Sequence, residues 1–420
     1  MLSYLLMTYA IAAGPAGTAD SIRVGKEPLT LTQAIDRAVR SHPSLQVFQS
    51  EIEVAEGNKA TASSVSNPEL MLGPGLKHTS ADGSRFHGAA EISQLLEFPG
   101  KRVLRVFLAE GDVKLKKIAL EGFRQQLRIE VSRAYFQAMA ARQISRLRSE
   151  QVQSAQTFLQ AARKRVQSGY ASDFETIKGQ ADWIAARKEL GDAIAQVQAA
   201  KLALAGLMGI PTDTTFEVED KLDSTLFAPL PPNLVASALE RNPSIRAQVL
   251  QMELAKKNIE AVKLARTPDL TISPGLEYTA DEQVYGVNLS MPLPFWNRGK
   301  GAIHAAVAED RKAEAEMEKL KQEITVAVLG AEDKVRVSGE QLSLYTPEFL
   351  DGLKSIMERA EKVYGQSSTT LLIYLEARRS YFDSLTDYYQ ALGAWIESHM
   401  ELEAAVGVPQ GNENQSNGVE

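Results

Sequence analysis

The 420-residue chain contains no cysteine, which removes disulfide frameworks, thiol nucleophiles and cysteine-based metal sites. Histidine is scarce: five residues, at 42, 78, 87, 304 and 399, lie scattered along the sequence. Lysine and arginine number 46 against 53 aspartates and glutamates, a net charge of -7, so there is no basic surplus for nucleic acid. After the N-terminal segment no run of eighteen apolar residues occurs, and no ordinary transmembrane helix is expected. That absence leaves a membrane β-barrel open. Catalytic phrases are missing too. Neither His-Glu-x-x-His nor Gly-x-Ser-x-Gly is present, and Gly100-Lys101 and Gly299-Lys300 lack the earlier glycine of a phosphate loop. With no cluster of nucleophile, base and orienting group, an enzyme is disfavoured, no cofactor is expected, and a passive protein is favoured.

What the sequence does contain, it contains twice. Ser41-His42-Pro43-Ser44-Leu45 returns about 200 positions later as Arg241-Asn242-Pro243-Ser244-Ile245. Pro68-Glu69-Leu70 answers Pro268-Asp269-Leu270, Gly169 answers Gly365, and Gly209-Ile210-Pro211 answers Gly407-Val408-Pro409. Solenoid repeats are only 20 to 50 residues long, so each half is a large unit. The division is 1–20, a signal peptide or flexible N-terminus; 21–220, the first repeat; 221–411, the second; and 412–420, a disordered tail. Leu2 to Ala13 supplies a short apolar run, and Gly14 to Ala19 a small-residue cleavage region.

Within each unit the periodicity changes. Leu31 to Ser66 reads as helix with a break at Pro43. Leu70, Leu72, Pro74 and Leu76 then alternate with Met71, Gly73, Gly75 and Lys77, a strand with one greasy face, and Phe86 to Ile92 returns across a turn at Asp82-Gly83. The second unit repeats the hairpin, with Leu270, Ile272 and Leu276 and then Val287 and Leu289 on the apolar side. Such alternation also suits a sheet covering a soluble core. Proline ends each hairpin, at Phe98-Pro99-Gly100 and at Pro292-Leu293-Pro294. Long helical tracts follow, Arg102 to Gln167 and Lys300 to Tyr364, the second interrupted at Pro347. Each spans about 100 Å at 1.5 Å per residue. Their seams, Leu120, Phe123, Leu127, Val131, Ala134, Ala138 and Ala141, and Leu320, Ile324, Val328, Ala331 and Val335, have coiled-coil spacing. Glycine turns at Gly169 and Gly365 lead into returning helices, Asp173 to Met208 and Thr370 to Val406. Ser172 with Glu175 is expected to form a capping box, and Ser367, Ser368 or Thr369 to cap the second. A returning helix plus an entering helix equals one long tract, so two short helices are expected to stack end to end beside it, with Pro211 to Pro232 crossing the middle of the rod.

The fold class expected is mainly α with a membrane β portion: a long coiled-coil body and four strands per chain, too few to close a barrel alone. This duplicated order, with Leu95-Leu96-Glu97-Phe98-Pro99-Gly100-Lys101-Arg102 and Leu289 to Gly299, resembles the TolC-like outer-membrane efflux proteins and their CzcC-type heavy-metal branch, over Leu31 to Pro409. The resemblance implies a homotrimer whose twelve strands close a barrel in outer-membrane lipid above a periplasmic helical tunnel. It also implies an efflux channel for substrates, heavy-metal cations in this branch, and partners in a periplasmic adaptor and an inner-membrane pump of the resistance-nodulation-division type. The docking tip would be Gly169, Tyr170, Ala171 and Ser172 with Gly365, Gln366, Ser367 and Ser368. Asp173, Glu175 and Glu376 are candidates for an acidic entrance, although Ile373 stands where relatives often have an acid, and the lipidated cysteine of many relatives is absent. The membrane-facing candidates are Leu70, Leu72, Leu76, Leu270, Ile272, Leu276, Val287 and Leu289. His78 and His87 flank the first hairpin loop, as metal ligands or plain surface residues. Phe295 and Trp296 are either interface anchors or packing at the bend. A soluble coiled-coil scaffold is the alternative reading.

Overall fold

Each half of the chain builds the same series of elements. The computed structural model describes residues 28–79, 83–211, 216–219, 233–279, 282–365 and 371–407. The N-terminal segment expected to be a signal peptide or flexible terminus, the C-terminal tail, and Gln366, Ser367, Ser368 and Thr369 lie outside them. The first half contains α1 (Leu31–Ser41), α2 (Pro43–Ser63), β1 (Glu69–Thr79), β2 (Gly83–Leu96), α3 (Lys101–Gln167) and α4 (Asp173–Leu207). The second contains α5 (Leu234–Arg241), α6 (Pro243–Ala265), β3 (Leu270–Thr279), β4 (Gln283–Ser290), α7 (Lys300–Ser343), α8 (Pro347–Gly365) and α9 (Leu371–Val406). The second tract divides where its sequence divides: Thr346 Oγ1 accepts the Phe349 amide at 3.2 Å and Pro347 takes the first helical position.

The repeated phrases form the joints of the rods. Gly209 ends α4 in the left-handed region at φ +64°, with the Gly209 amide donating to Gly206 O and the Ile210 amide to Ala205 O, both at 3.1 Å. That is a Schellman close. A β-carbon on Gly209 would lie 2.5 Å from Ser41 O and 3.5 Å from the His42 Cα. The end of α4 therefore abuts the break between α1 and α2. Gly407, at φ +75°, meets Asn242 in the same way, between α9 and the break that begins α6. His42 and Asn242 are equivalent in role as well: each side chain accepts the amide of the serine two residues on, at 3.2 and 2.8 Å. The two short helices thus follow one another beside the long one. Part of the crossing segment also lies where expected. Leu29 pairs with Val218, Arg142 Nη1 donates to Val218 O at 2.6 Å, and the Tyr135 hydroxyl donates to Leu29 O at 2.8 Å, all at the middle of α3. Burial pushes the Tyr135 hydroxyl up to about 12.

The apolar interior is a string of clusters along the rods. Around mid-α3, Leu127, Val131 and Tyr135 pack with Ala34 and Ala38 of α1, Leu204 of α4 and Leu392 of α9. A second group joins Ile324, Val328, Ala331 and Val335 of α7 to Leu234 of α5 and Leu402 of α9. The expected seams are largely buried, with Phe123, Ala141 and Leu320 only partly covered. Small residues let the helices approach closely: Gly111 of α3 faces Leu254 of α6.

The strands form one antiparallel sheet in the order β1-β2-β3-β4. The two hairpins join through β2 and β3, where Ala90 stands opposite Leu276 and Leu96 opposite Leu270. β1 and β4 are each paired on one side only within the chain. Among the described residues no helix is long and apolar enough to cross a membrane.

Candidate functional site: the sheet and the tip

Register sorts the sheet into two unlike faces. Leu70 lies opposite Ile92, Leu72 opposite Ala90, Ile272 opposite Leu289 and Leu276 opposite Tyr285. One face is therefore mostly apolar from edge to edge, with Gln94 opposite Ile272 and Gln283 opposite Tyr278 as polar members. Its outer strands are bare: Leu70, Leu72, Leu76, Val287 and Leu289 are all more than 60% exposed. Leu276 is exposed as well, and Leu270 and Ile272 are half-buried. Nothing among the described residues covers this face, which speaks against the soluble-core alternative for the alternating strands. The opposite face carries mostly small and polar residues, with Met71 and Val284 as exposed apolar members. Gly73 stands opposite Ala89, and Gly75 opposite His87. Asn288 Nδ2 donates to Glu91 Oε2 at 3.3 Å, and His87 Nε2 is 3.6 Å from Glu277 Oε1. His87 belongs to no metal-binding group among the described residues, and the side chain of His78 lies outside them.

At the foot of the sheet the chain turns into the long helices through Gly100, φ +96°, and Gly299, φ +66°. Glycine is needed at both: a β-carbon would meet Leu264 at 3.1 Å in one case and Arg266 at 3.0 Å in the other. Asp269 ties the hairpins together here, accepting the Phe98 amide at 2.7 Å and Lys101 Nζ at 2.8 Å. Burial works to raise the Asp269 carboxyl, but these donors hold it below the usual carboxylate range. Arg105 pairs with Glu97 and donates to Ala62 O at 2.9 Å, tying α3 to the end of α2.

At the far end of the rods, Gly169 at φ +76° closes α3, and the Tyr170 amide donates back to Arg165 O at 2.9 Å. Ser172 precedes α4 without a side-chain capping bond. The expected capping box is absent because Glu175 is engaged elsewhere. Its Oε2 accepts the Tyr364 hydroxyl at 2.6 Å and lies 3.5 Å from Arg165 Nε. Arg165 also donates to Tyr364 O at 3.1 Å and sits 4.7 Å over the Tyr364 ring. Tyr364 stacks on Tyr374 at 5.2 Å, and Phe158 packs against both. Arg378 reaches Asp182 at 2.8 Å. Burial and the neighbouring carboxylate push the Tyr364 hydroxyl well above the usual phenol range. All four tip helices are thereby tied inside one chain. Asp173 and Glu376 are exposed at the surface, whereas Glu175 is held in this internal network. Tyr170, Phe174, Leu372 and Ile373 are bare apolar side chains at the tip, and Gly365 is the last residue of α8. Sequence reasoning missed Arg165, Tyr364, Arg378 and Asp182, whose partners stand up to about 200 positions away and leave no local pattern.

A helical rod ending in a sheet with one bare apolar face and two bare edges defines a membrane-embedded channel subunit. The family described as outer membrane efflux protein matches residues 34–210 and 234–408, one match in each repeat, and the chain belongs to that family. The cobalt-zinc-cadmium resistance protein CzcC of Cupriavidus metallidurans is 25% identical over 411 residues, covering 97% of each chain. The nickel-cobalt-cadmium resistance protein NccC of Alcaligenes xylosoxydans xylosoxydans is 23% identical over 305 residues, 72% of this chain and 69% of its own. The crystal structure of CusC superposes with a TM-score of 0.77 at 17% identity, covering 90% of this chain and 92% of that one, a likeness of fold. The chain is thus an outer-membrane component of efflux, with its helical body in the periplasm, working with an adaptor and an inner-membrane pump.

Proposed function

We propose that three copies close a twelve-stranded barrel and pass heavy-metal cations, delivered through a periplasmic adaptor by a pump of the resistance-nodulation-division type, to the exterior. The observation that carries the barrel is the pair of open edges. An unpaired strand edge in hydrocarbon costs several kcal/mol for each unsatisfied backbone group, and β1 of one copy against β4 of the next removes both edges at once. The apolar face then meets lipid, and the polar face with Glu91 and Glu277 lines the lumen, a lining that suits cations. The names of CzcC and NccC support the metal reading.

Conduction needs no chemistry in this chain. The adaptor supplies the energy by binding the open entrance better than the closed one; moving the population from 1:99 to 99:1 takes about 5.5 kcal/mol of differential binding. Docking is assigned to the tips, Gly169 to Ser172 and Gly365 to Ser368, beside the bare Tyr170, Phe174 and Leu372. Asp173 and Glu376 are the cation-attracting candidates at the entrance. Because the Arg165–Glu175–Tyr364 and Arg378–Asp182 ties join all four tip helices of one subunit, opening is a movement of whole tips against their neighbours.

The test is complementation of a host that lacks its own channel but has the adaptor and pump. Restored tolerance to cobalt, zinc and cadmium is the expected result, and rescue confined to organic drugs refutes the metal reading. Gly169→Pro with Gly365→Pro should abolish tolerance while trimers persist, since proline cannot adopt φ +76° or donate the Gly169 amide bond. Full tolerance in that variant refutes docking at the tips.

A further inference from the structure

The apolar row of β4 does not stop where the strand stops. Tyr285, Val287 and Leu289 are followed at the same period of two by Met291, Leu293 and Phe295, and every one of the six is exposed. Trp296, beside the last member of the row, is 93% exposed and touches the Phe295 ring edge-on at 6.2 Å. It is therefore not packing the bend. In the first repeat the β2 row ends likewise, with Leu96 exposed at the end of the strand and Phe98 exposed below it. A groove of about 470 Å³ runs beside this segment, between Val262, Arg266, Pro292, Leu293, Pro294 and Asn297. At the same level, where the sheet meets the helices, Arg102, Lys263, Arg266, Arg298 and Lys300 are all exposed. None of the five has an acidic partner among the described residues, although the nearby Lys101 and Arg105 are both paired.

An apolar row continuous with a lipid-facing surface, ending in an exposed tryptophan beside unpaired cations, has the composition of a membrane boundary. We infer that the segment from Met291 to Lys300, with Arg102, Lys263 and Arg266, is a phospholipid-binding collar on the periplasmic leaflet of the outer membrane. Leu293, Phe295 and Trp296 enter the acyl boundary, and the cations hold headgroup phosphates. The leaflet follows from the fold: the collar lies at the helical, periplasmic end of the sheet, opposite the hairpin turns. The collar fixes how deep the barrel sits and keeps the long helices out of the membrane. It rests on the sheet's spanning the membrane, and the test separates the two.

The full-length protein with Trp183→Phe and Trp395→Phe keeps Trp296 as its sole tryptophan. It is reconstituted in vesicles of phosphatidylethanolamine and phosphatidylglycerol whose acyl chains are brominated near the headgroup. Trp296 emission should be largely quenched by the brominated lipid and protected from aqueous iodide. A second protein, with Trp296→Phe and Val287→Trp in the same background, reports on the strand. Quenching of the Val287→Trp probe by bromolipid, with Trp296 quenched only by iodide, overturns the collar and leaves the barrel standing. If neither tryptophan is reached by bromolipid, the barrel reading fails and the collar with it. For the cations, Arg266→Gln with Arg298→Gln and Lys300→Gln should weaken phosphatidylglycerol retention by the detergent-solubilised protein, about fivefold for each charge removed at low salt. Retention equal to that of the parent overturns the headgroup assignment.

Discussion

Replacing Gly209 by alanine should unlock the joint at which the two short rods of the first repeat meet. The left-handed backbone at φ +64° costs an L-residue about 1–2 kcal/mol. The new methyl would also lie 2.5 Å from Ser41 O and 3.0 Å from its carbonyl carbon, backbone atoms at the end of α1 that cannot swing aside. Overpacking of this kind adds about 1–3 kcal/mol, so the total is about 2–5 kcal/mol. Gly407→Ala has the same backbone penalty at φ +75°, but its nearest neighbour is the Asn242 side chain at 3.1 Å, which can give way; about 1–2 kcal/mol is expected. Gly191→Ala is the control, because Gly191 sits inside α4 with nothing within 4 Å of the added carbon, and should be neutral or stabilising by up to about 1 kcal/mol. Thermal unfolding of the purified protein in detergent, followed by helical circular dichroism, gives the order. Gly209→Ala should melt lowest, by about 4–20 °C if the repeat unfolds as a unit, with Gly407→Ala between it and the parent. A Gly209→Ala protein as stable as Gly191→Ala would refute the joint.

At the tip, Tyr364→Phe removes the hydroxyl donor to Glu175, a charge-assisted bond worth about 1.5–3 kcal/mol. Amide exchange at the end of α8 should accelerate roughly 10- to 100-fold, and unchanged protection would show that the tie does not hold the tip. On the sheet, Ile272→Arg with Leu289→Arg places two charges on the lipid face at one register position, at about 2–4 kcal/mol each near the midplane. Outer-membrane assembly should fail, and normal insertion of this variant would contradict the assignment of faces. Asp269 gives a pH dependence. Its folded-state value is lowered, so its stabilising contribution is complete above the unfolded carboxyl value and is lost as pH falls through the lowered one. The melting gap between the parent and Asp269→Asn should hold down to about pH 4 and close below it. A gap that persists at lower pH would mean that the clasp on Phe98 and Lys101 does not depend on the charge.

The duplication was legible because it is written in residues with backbone meaning. Gly209 and Gly407 need left-handed φ, and Pro43 and Pro243 start helices, so the same phrases mark the same joints. Strand alternation likewise announced Leu70, Leu72, Val287 and Leu289 as one face, and Pro347 announced the break between α7 and α8. The tip network was not legible. Ser172 and Glu175 have the local spacing of a capping box, but Arg165 and Tyr364 lie within reach only after four helices have packed, and a charged, partly buried carboxylate favours those stronger donors. The collar was half legible. Phe295 and Trp296 allowed two readings until the fold left Trp296 with almost nothing to pack against.

The central claim, that bare strand edges are closed by identical neighbours in the outer membrane, is tested most directly by fractionating cells that express the protein and running the outer-membrane fraction on a gel without boiling. The account predicts a trimer in that fraction that collapses to monomer on heating. A protein that runs as a monomer without heating after extraction in every mild detergent, or one recovered from the soluble periplasm after verified export, would contradict it.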